Sequence, residues 1–203
     1  MITLGLTGSV GMGKTEAAKE FARLGFPVFD ADQEVHRLLA EDRAVAAKVA
    51  SVFPEALAGA TVDRARIAER VFADPAALAG LEKILHPEVR KSAAGFVARA
   101  RAGGAALVVL EIPLLYESGA EALCDAVAVV TAPWHVQEAR AMARPGMTRE
   151  RLAAMRARQM PDAEKRHRAD FVIETGDGRP KMLREIRKVV KILCQKPEGQ
   201  ARA

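Results

Sequence analysis

Asparagine is absent from this chain of 203 residues, and other types are scarce: two cysteines, one tryptophan, one tyrosine and seven phenylalanines. Without asparagine there is no Asn-Lys-x-Asp element to read guanine, so a GTPase switch is excluded. The few aromatics leave little for a base-stacking surface, which argues against a nucleic-acid partner. Cys124 and Cys194 lie far apart in apolar surroundings and make no metal-ligand spacing. Buried free thiols in a reducing compartment are expected, with no disulfide framework. No apolar run reaches the ~18 residues of a membrane span, and no charged and apolar leader precedes the first strand. A soluble cytoplasmic protein without a membrane partner is expected, ending in a frayed tail over 195–203.

Half the residues are hydrophobic, enough for one good core with room for a small inserted subdomain. The net charge of +5 is local: between Arg140 and Arg168 there are nine Arg and Lys against three acids. That block reads either as a solvated basic helix face or as a surface that meets phosphates.

The strongest signal is LGLTGSVGMGKT, in which Gly8, Gly13, Lys14 and Thr15 complete GxxxxGKT directly after the apolar run Ile2 to Leu6. With glycine at roughly 7% of residues, this pattern arises by chance in about one such chain in a few hundred. Its place after a strand and before an amphipathic segment identifies a phosphate-binding loop. Backbone N–H groups from Gly8 to Thr15 converge on an anion, Lys14 bridges the β- and γ-phosphates, and the Thr15 hydroxyl holds Mg²⁺. The expected ATP-binding set is Gly8, Gly11, Met12, Gly13, Lys14, Thr15 and Glu16, joined by Arg144 and Thr175 further on.

Apolar runs at Ile2 to Leu6, Pro27 to Phe29, Ala106 to Leu110, Ala126 to Val130 and Phe171 to Ile173 alternate with helical patterns, as in an α/β fold with a parallel sheet. ALVVL and AVAVV lack alternation and read as central strands covered on both faces. Helices are expected over Lys14 to Leu24, Ala31 to Leu39, Arg43 to Val52, Arg64 to Phe72, Pro75 to Leu85 and Pro87 to Ala102. Asp74 before Pro75 reads as a helix cap, and Gly103-Gly104 as a stop. The expected organisation is a core of 1–30, 104–132 and 169–195, a helical insert of 31–103 without strands, and a lid of 133–168. The lid is broken at Pro145-Gly146 and Pro161-Asp162 into two or three short helices.

Ligands in open α/β sheets bind at the carboxyl ends of strands, where Asp30 and Asp32 of VFDAD fall. Asp30 is expected to cap the following helix and Asp32 to accept a proton from, or orient, an attacking hydroxyl. Arg140 and Arg144, four apart, share one face of the first lid helix, and an Arg over the γ-phosphate would neutralise charge in the transition state. Glu111 ends the third run, either near the magnesium or as a strand-end acid satisfied by a helix terminus. Leu114 and Leu115 follow where a substrate could pack. His86, before Pro87, reads on its own as a hinge between two helices.

The ordered series LTGxxGxGKT (6 to 15), DAD (30 to 32), LHPxxR (85 to 90), PLLYE (113 to 117), QxxRxxxR (137 to 144), Gln159 and ADFVI (169 to 173) resembles the dephospho-CoA kinase family across nearly the whole chain. The resemblance implies a three-layer P-loop kinase that transfers the ATP γ-phosphate to the ribose 3′-hydroxyl of dephospho-CoA. Its partners would be ATP and dephospho-CoA, its cofactor Mg²⁺, and its state a monomer or weak homo-oligomer. By position, Lys14, Asp32 and Arg140 match the catalytic residues, and His86 and Arg90, with Leu114 and Leu115, the substrate side. Two positions depart from the family pattern: Met12 stands where a small residue is usual, and Glu174-Thr175 replaces an acid-Asn pair near the adenine. Backbone groups around Thr175 to Gly178 are then expected to read the base.

Overall fold

Each of the five apolar runs becomes a strand of one sheet in the computed structural model of the chain, which describes residues 1–58 and 61–194. The strands are β1 (Ile2–Thr7), β2 (Val28–Asp30), β5 (Leu107–Glu111), β6 (Ala126–Thr131) and β7 (Phe171–Glu174). Their order is β2-β5-β1-β6-β7, and β5, β1, β6 and β7 pair in parallel. In the central register, Leu4 lies between Val109 and Ala126. Every residue of β5 and β6 is buried, as strands covered on both faces require.

One face of the sheet presents Leu4, Leu6, Val109, Ala128, Val130 and Ile173 to α1 (Lys14–Arg23) and α9 (Arg179–Cys194), whose Phe21 and Ile186 are fully buried. On the other face, Val127 and Val129 pack with Leu115, Tyr116, Met160 and Ala169. Each full side chain of this kind contributes ~1.5–3 kcal/mol on burial.

The remaining helices are α2 (Ala31–Glu41), α3 (Arg43–Val52), α4 (Arg64–Ala73), α5 (Pro75–Ala102), α6 (Trp134–Met142), α7 (Arg149–Ala157) and α8 (Asp162–Arg168). By packing, the chain divides into two units: Met1–Phe29 with the chain from Phe96 onward, and Asp30–Gly95. The second has its own core of Leu38, Val45, Val49, Phe53, Ile67, Leu81 and Leu85. It closes at Gly95 rather than at residue 103, because the last turns of α5 belong to the first unit, where Phe96 meets Phe29 with ring centroids 5.6 Å apart.

Three expectations are corrected. The insert is not free of strands: β3 (Leu57–Ala58) and β4 (Thr61–Val62) form a short antiparallel pair. Residues 75–102 form one helix through Pro87 rather than two helices hinged at His86. Proline there costs about 3 kcal/mol, offset by the burial of Leu81, Leu85 and Ala93 on either side of it. Finally, Cys194 is exposed in the last turn of α9, and only Cys124 is partly buried. Burial pushes the Cys124 thiol up to about 12. The tail over 195–203 lies outside the described residues, and among the described residues no helix is long and apolar enough to cross a membrane.

Candidate active site

Strand β1 delivers the chain into the loop Gly8 to Gly13, and Lys14 and Thr15 open α1. Gly13 stands at the helix N-cap in the left-handed region, φ 89°, where a residue with a Cβ is strained. No side chain caps α1, so its first N–H groups stay available to an anion. Lys14 Nζ donates to the Gly8 carbonyl at 2.8 Å and so arches over the loop. The exposed Thr15 hydroxyl donates to Glu111 Oε1 at 3.2 Å, at the carboxyl end of β5. Glu111 is buried. A hydroxyl and a carboxylate of this kind suit Mg²⁺, a hard cation usually held by one or two such groups plus substrate phosphates. Glu16 is ion-paired with Lys19 at 2.7 Å on the exposed side of α1.

The lid segment is built onto the loop. Helix α6 passes so close that a Cβ on Gly11 would stand 2.6 Å from the Gln137 carbonyl oxygen. Val10 packs with Ala141 of α6 and Leu152 of α7. Gln137 Nε2 donates to the Val10 carbonyl at 2.8 Å, and Gln159 Oε1 accepts from the Val10 N–H at 3.2 Å. Met12 is also buried, its Sδ accepting from the Ala132 N–H at 3.1 Å, so it fills the loop's underside as well as lending its backbone.

Arg140, on α6, reaches the residue that follows β7. Its Nη1 donates to the Thr175 hydroxyl at 2.9 Å and its Nη2 to the Thr175 carbonyl at 2.8 Å, which sets the guanidinium beside Gly13. Thr175 is engaged throughout: its hydroxyl donates to the Met12 carbonyl at 2.7 Å, and its N–H to the Thr131 carbonyl at 2.9 Å. Thr175 is thus a strut joining the end of β7, the loop and α6. Arg144, one turn beyond Arg140, is exposed.

The return of the lid is anchored by an ion pair whose lysine is buried. Lys165 of α8 is fully buried, with Nζ 2.8 Å from Glu117 Oε1, which also accepts from the Met160 N–H at 2.8 Å. Losing Glu117 would leave the Lys165 charge uncompensated in the core. The Thr131 hydroxyl donates to Asp162 Oδ2 at 2.9 Å, fixing the start of α8 to the end of β6.

Of the substrate-side residues, Asp30 accepts from the Gln33 N–H at 2.9 Å and is the expected cap of α2. Asp32 is exposed in the first turn of that helix. His86 and Arg90 lie four apart on α5, His86 half-buried and Arg90 exposed. Leu115 is corrected: it is fully buried in the core beneath the sheet, so only Leu114 keeps a part-exposed side chain. Gln137, Gln159, Glu117 and Lys165 had no structural role in the sequence reading. Three of them fall in the motifs quoted above, but their partners are backbone groups or a lysine distant in sequence.

Comparison with known proteins agrees with this geometry. The family model described as dephospho-CoA kinase matches residues 2–179. The dephospho-CoA kinase of Mesorhizobium japonicum is 52% identical over 178 residues, 88% of this chain and 89% of that one. Among solved structures, a Thermus thermophilus protein superposes with a TM-score of 0.83 at 37% identity, covering 96% of this chain and 98% of the other. The dephospho-CoA kinase from Campylobacter jejuni gives 0.69 at 28% identity, over 94% and 96%.

Proposed function

The chain belongs to the dephospho-CoA kinase family, and on that premise we propose that it transfers the γ-phosphate of ATP to the ribose 3′-hydroxyl of dephospho-CoA, giving coenzyme A and ADP. The observation that carries this reading is the uncapped start of α1 beneath a glycine loop, with Lys14 arched over it and Thr15 beside Glu111.

The N–H groups from Gly11 to Thr15 hold the β- and γ-phosphates, and Lys14 exchanges its Gly8 contact for phosphate oxygens. Thr15 and Glu111 are the residues that would hold Mg²⁺, which when bound neutralises charge shared between the β- and γ-phosphates. Arg140, held by Thr175 beside Gly13, supplies positive charge to the transferring group, and exposed Arg144 adds to the binding of ATP. On the acceptor side, Asp32 orients the 3′-hydroxyl and takes its proton late, since phosphoryl transfer is largely dissociative. His86 and Arg90 bind the acceptor, whose phosphates Arg90 suits.

³¹P NMR of products after incubation with Mg-ATP and dephospho-CoA, with a nucleoside monophosphate in a parallel tube, tests the reading. A new 3′-phosphomonoester appearing with ADP only in the first tube is expected. ATP consumed only in the second, or in neither, overturns the assignment of the acceptor.

A further inference from the structure

Val10 sits inside the phosphate loop, 4% exposed, and its peptide groups are held from both sides by side chains of the lid segment. Gln137 donates to its carbonyl at 2.8 Å, and Gln159 accepts from its N–H at 3.2 Å. The direction of each bond is fixed by the backbone, because an amide N–H only donates and a carbonyl oxygen only accepts. The two carboxamides thus do opposite work although their side chains are identical.

A trans peptide is planar, with its C=O and N–H pointing in opposite directions. Pinning the Val10 carbonyl toward Gln137 therefore turns the Gly11 N–H the opposite way. Pinning the Val10 N–H toward Gln159 likewise turns the Ser9 carbonyl away from Gln159. That carbonyl accepts from the Met12 N–H at 3.2 Å, the turn that bends the loop. Two peptide planes of the loop are thereby set by groups 127 and 149 residues distant in sequence. We propose that Gln137 and Gln159 are positioning residues that clamp the Val10 peptide, orienting the loop's N–H groups for the nucleotide phosphates. The clamp rests on the nucleotide-binding half of the proposed function and is independent of which acceptor is phosphorylated.

Truncation alone does not decide the matter. A cavity of about 160 Å³, lined by both glutamines with Ser9, Met12, Arg156 and Met160, borders the clamp, and water entering it can replace a lost amide. Exchange of glutamine for glutamate is sharper, because the two positions respond oppositely. In Gln159→Glu the acceptor survives. In Gln137→Glu an ionised carboxylate faces the Val10 carbonyl, and only the protonated acid can donate to it.

Binding of MgADP to the whole chain and its variants is measured by calorimetry at about pH 8 and about pH 6, a range over which a buried carboxyl can change its protonation. Thermal melting is followed in parallel. Gln137→Glu is expected to lose about tenfold in affinity at the higher pH, as for a buried acceptor left without its donor, and to recover most of it at the lower pH relative to the unaltered chain. Gln159→Glu is expected to stay within about threefold at both values, and Gln159→Leu, which can neither accept nor admit water to the same place, to lose about tenfold. Equal affinities across the Glu variants and the unaltered chain overturn the clamp. So does a lower melting temperature with unchanged MgADP affinity, which marks the glutamines as structural only. Failure of the unaltered chain to bind MgADP overturns the nucleotide reading and the clamp with it.

Discussion

The helices of the insert and the helix that follows the phosphate loop begin in opposite ways. In the unit Asp30–Gly95, α2, α3, α4 and α5 each start behind an aspartate: Asp30, Asp42, Asp63 and Asp74 accept from N–H groups two or three residues on. In the other unit α7 has Thr148 as its cap, whereas α1, α6 and α8 start behind Gly13, Pro133 and Pro161 with no side-chain cap. A capped helix has spent its N-terminal donors and answers its own dipole, whereas an uncapped one leaves both to a neighbour or ligand. The insert therefore closes on itself, while α1 stays open toward the loop. Under the proposed function, the insert acts through the side chains of Asp32, His86 and Arg90, and the core adds backbone N–H groups to Lys14 and its arginines.

The most severe way to break this contrast is to give α1 the insert's cap. Gly13→Asp places a carboxylate on the N–H groups meant for phosphate, at a backbone φ of 89° where a side chain adds ~1–2 kcal/mol of strain. A second negative charge ~4 Å from a bound phosphate costs about 4 kcal/mol at the effective dielectric of a protein surface, so MgADP affinity should fall about a thousandfold. Calorimetric titration reads this directly. Binding retained within tenfold would mean that the open helix start is not where phosphate is held.

A subtler separation is expected from Asp32→Asn, which removes a proton acceptor on the insert and leaves the loop untouched. Turnover should drop by about a hundredfold or more while ATP affinity stays close to that of the unaltered chain. Initial-rate kinetics beside equilibrium nucleotide binding would show the split. Near-normal turnover would remove Asp32 from the reaction and leave it a first-turn acid of α2.

These two residues also mark what could be read from the sequence. The phosphate loop is local: its glycines, its Lys14 and its place after β1 are contiguous, and the five strands announce themselves as apolar runs. The aspartate caps are equally local, since Asp74 with Pro75 spells its own helix start. What escaped depends on contacts between distant segments. Thr175 looked like a residue near the base because it follows β7, yet its hydroxyl and carbonyl are taken by Met12 and Arg140. Leu115 looked like a lining residue, but its partners in the core, Val127 and Val129, appear only once β6 is laid in the sheet. Pro87 signalled a break, and burial on both sides of it carried the helix through. The β3–β4 pair is two residues per strand, too short for any period to register.

The smallest effect tests the closed half of the comparison. Asp74 Oδ1 accepts from the Ala76 and Ala77 N–H groups at 2.9 and 3.3 Å, and Pro75 between them has no N–H to satisfy. The carboxylate thus serves both of the donors that the start of α5 presents next. Asp74→Ala should lower stability by about 1 kcal/mol in urea unfolding, the ordinary worth of a cap. If the insert's helix starts serve only its own fold, MgADP affinity should stay within about twofold, the change expected at a site that shares no partner with the loop. A loss of nucleotide affinity larger than the loss of stability would instead mean that the capped helices and the open one are energetically coupled. In that case α5, which runs on from the insert past Phe96 into the core unit, is the element that would carry the coupling.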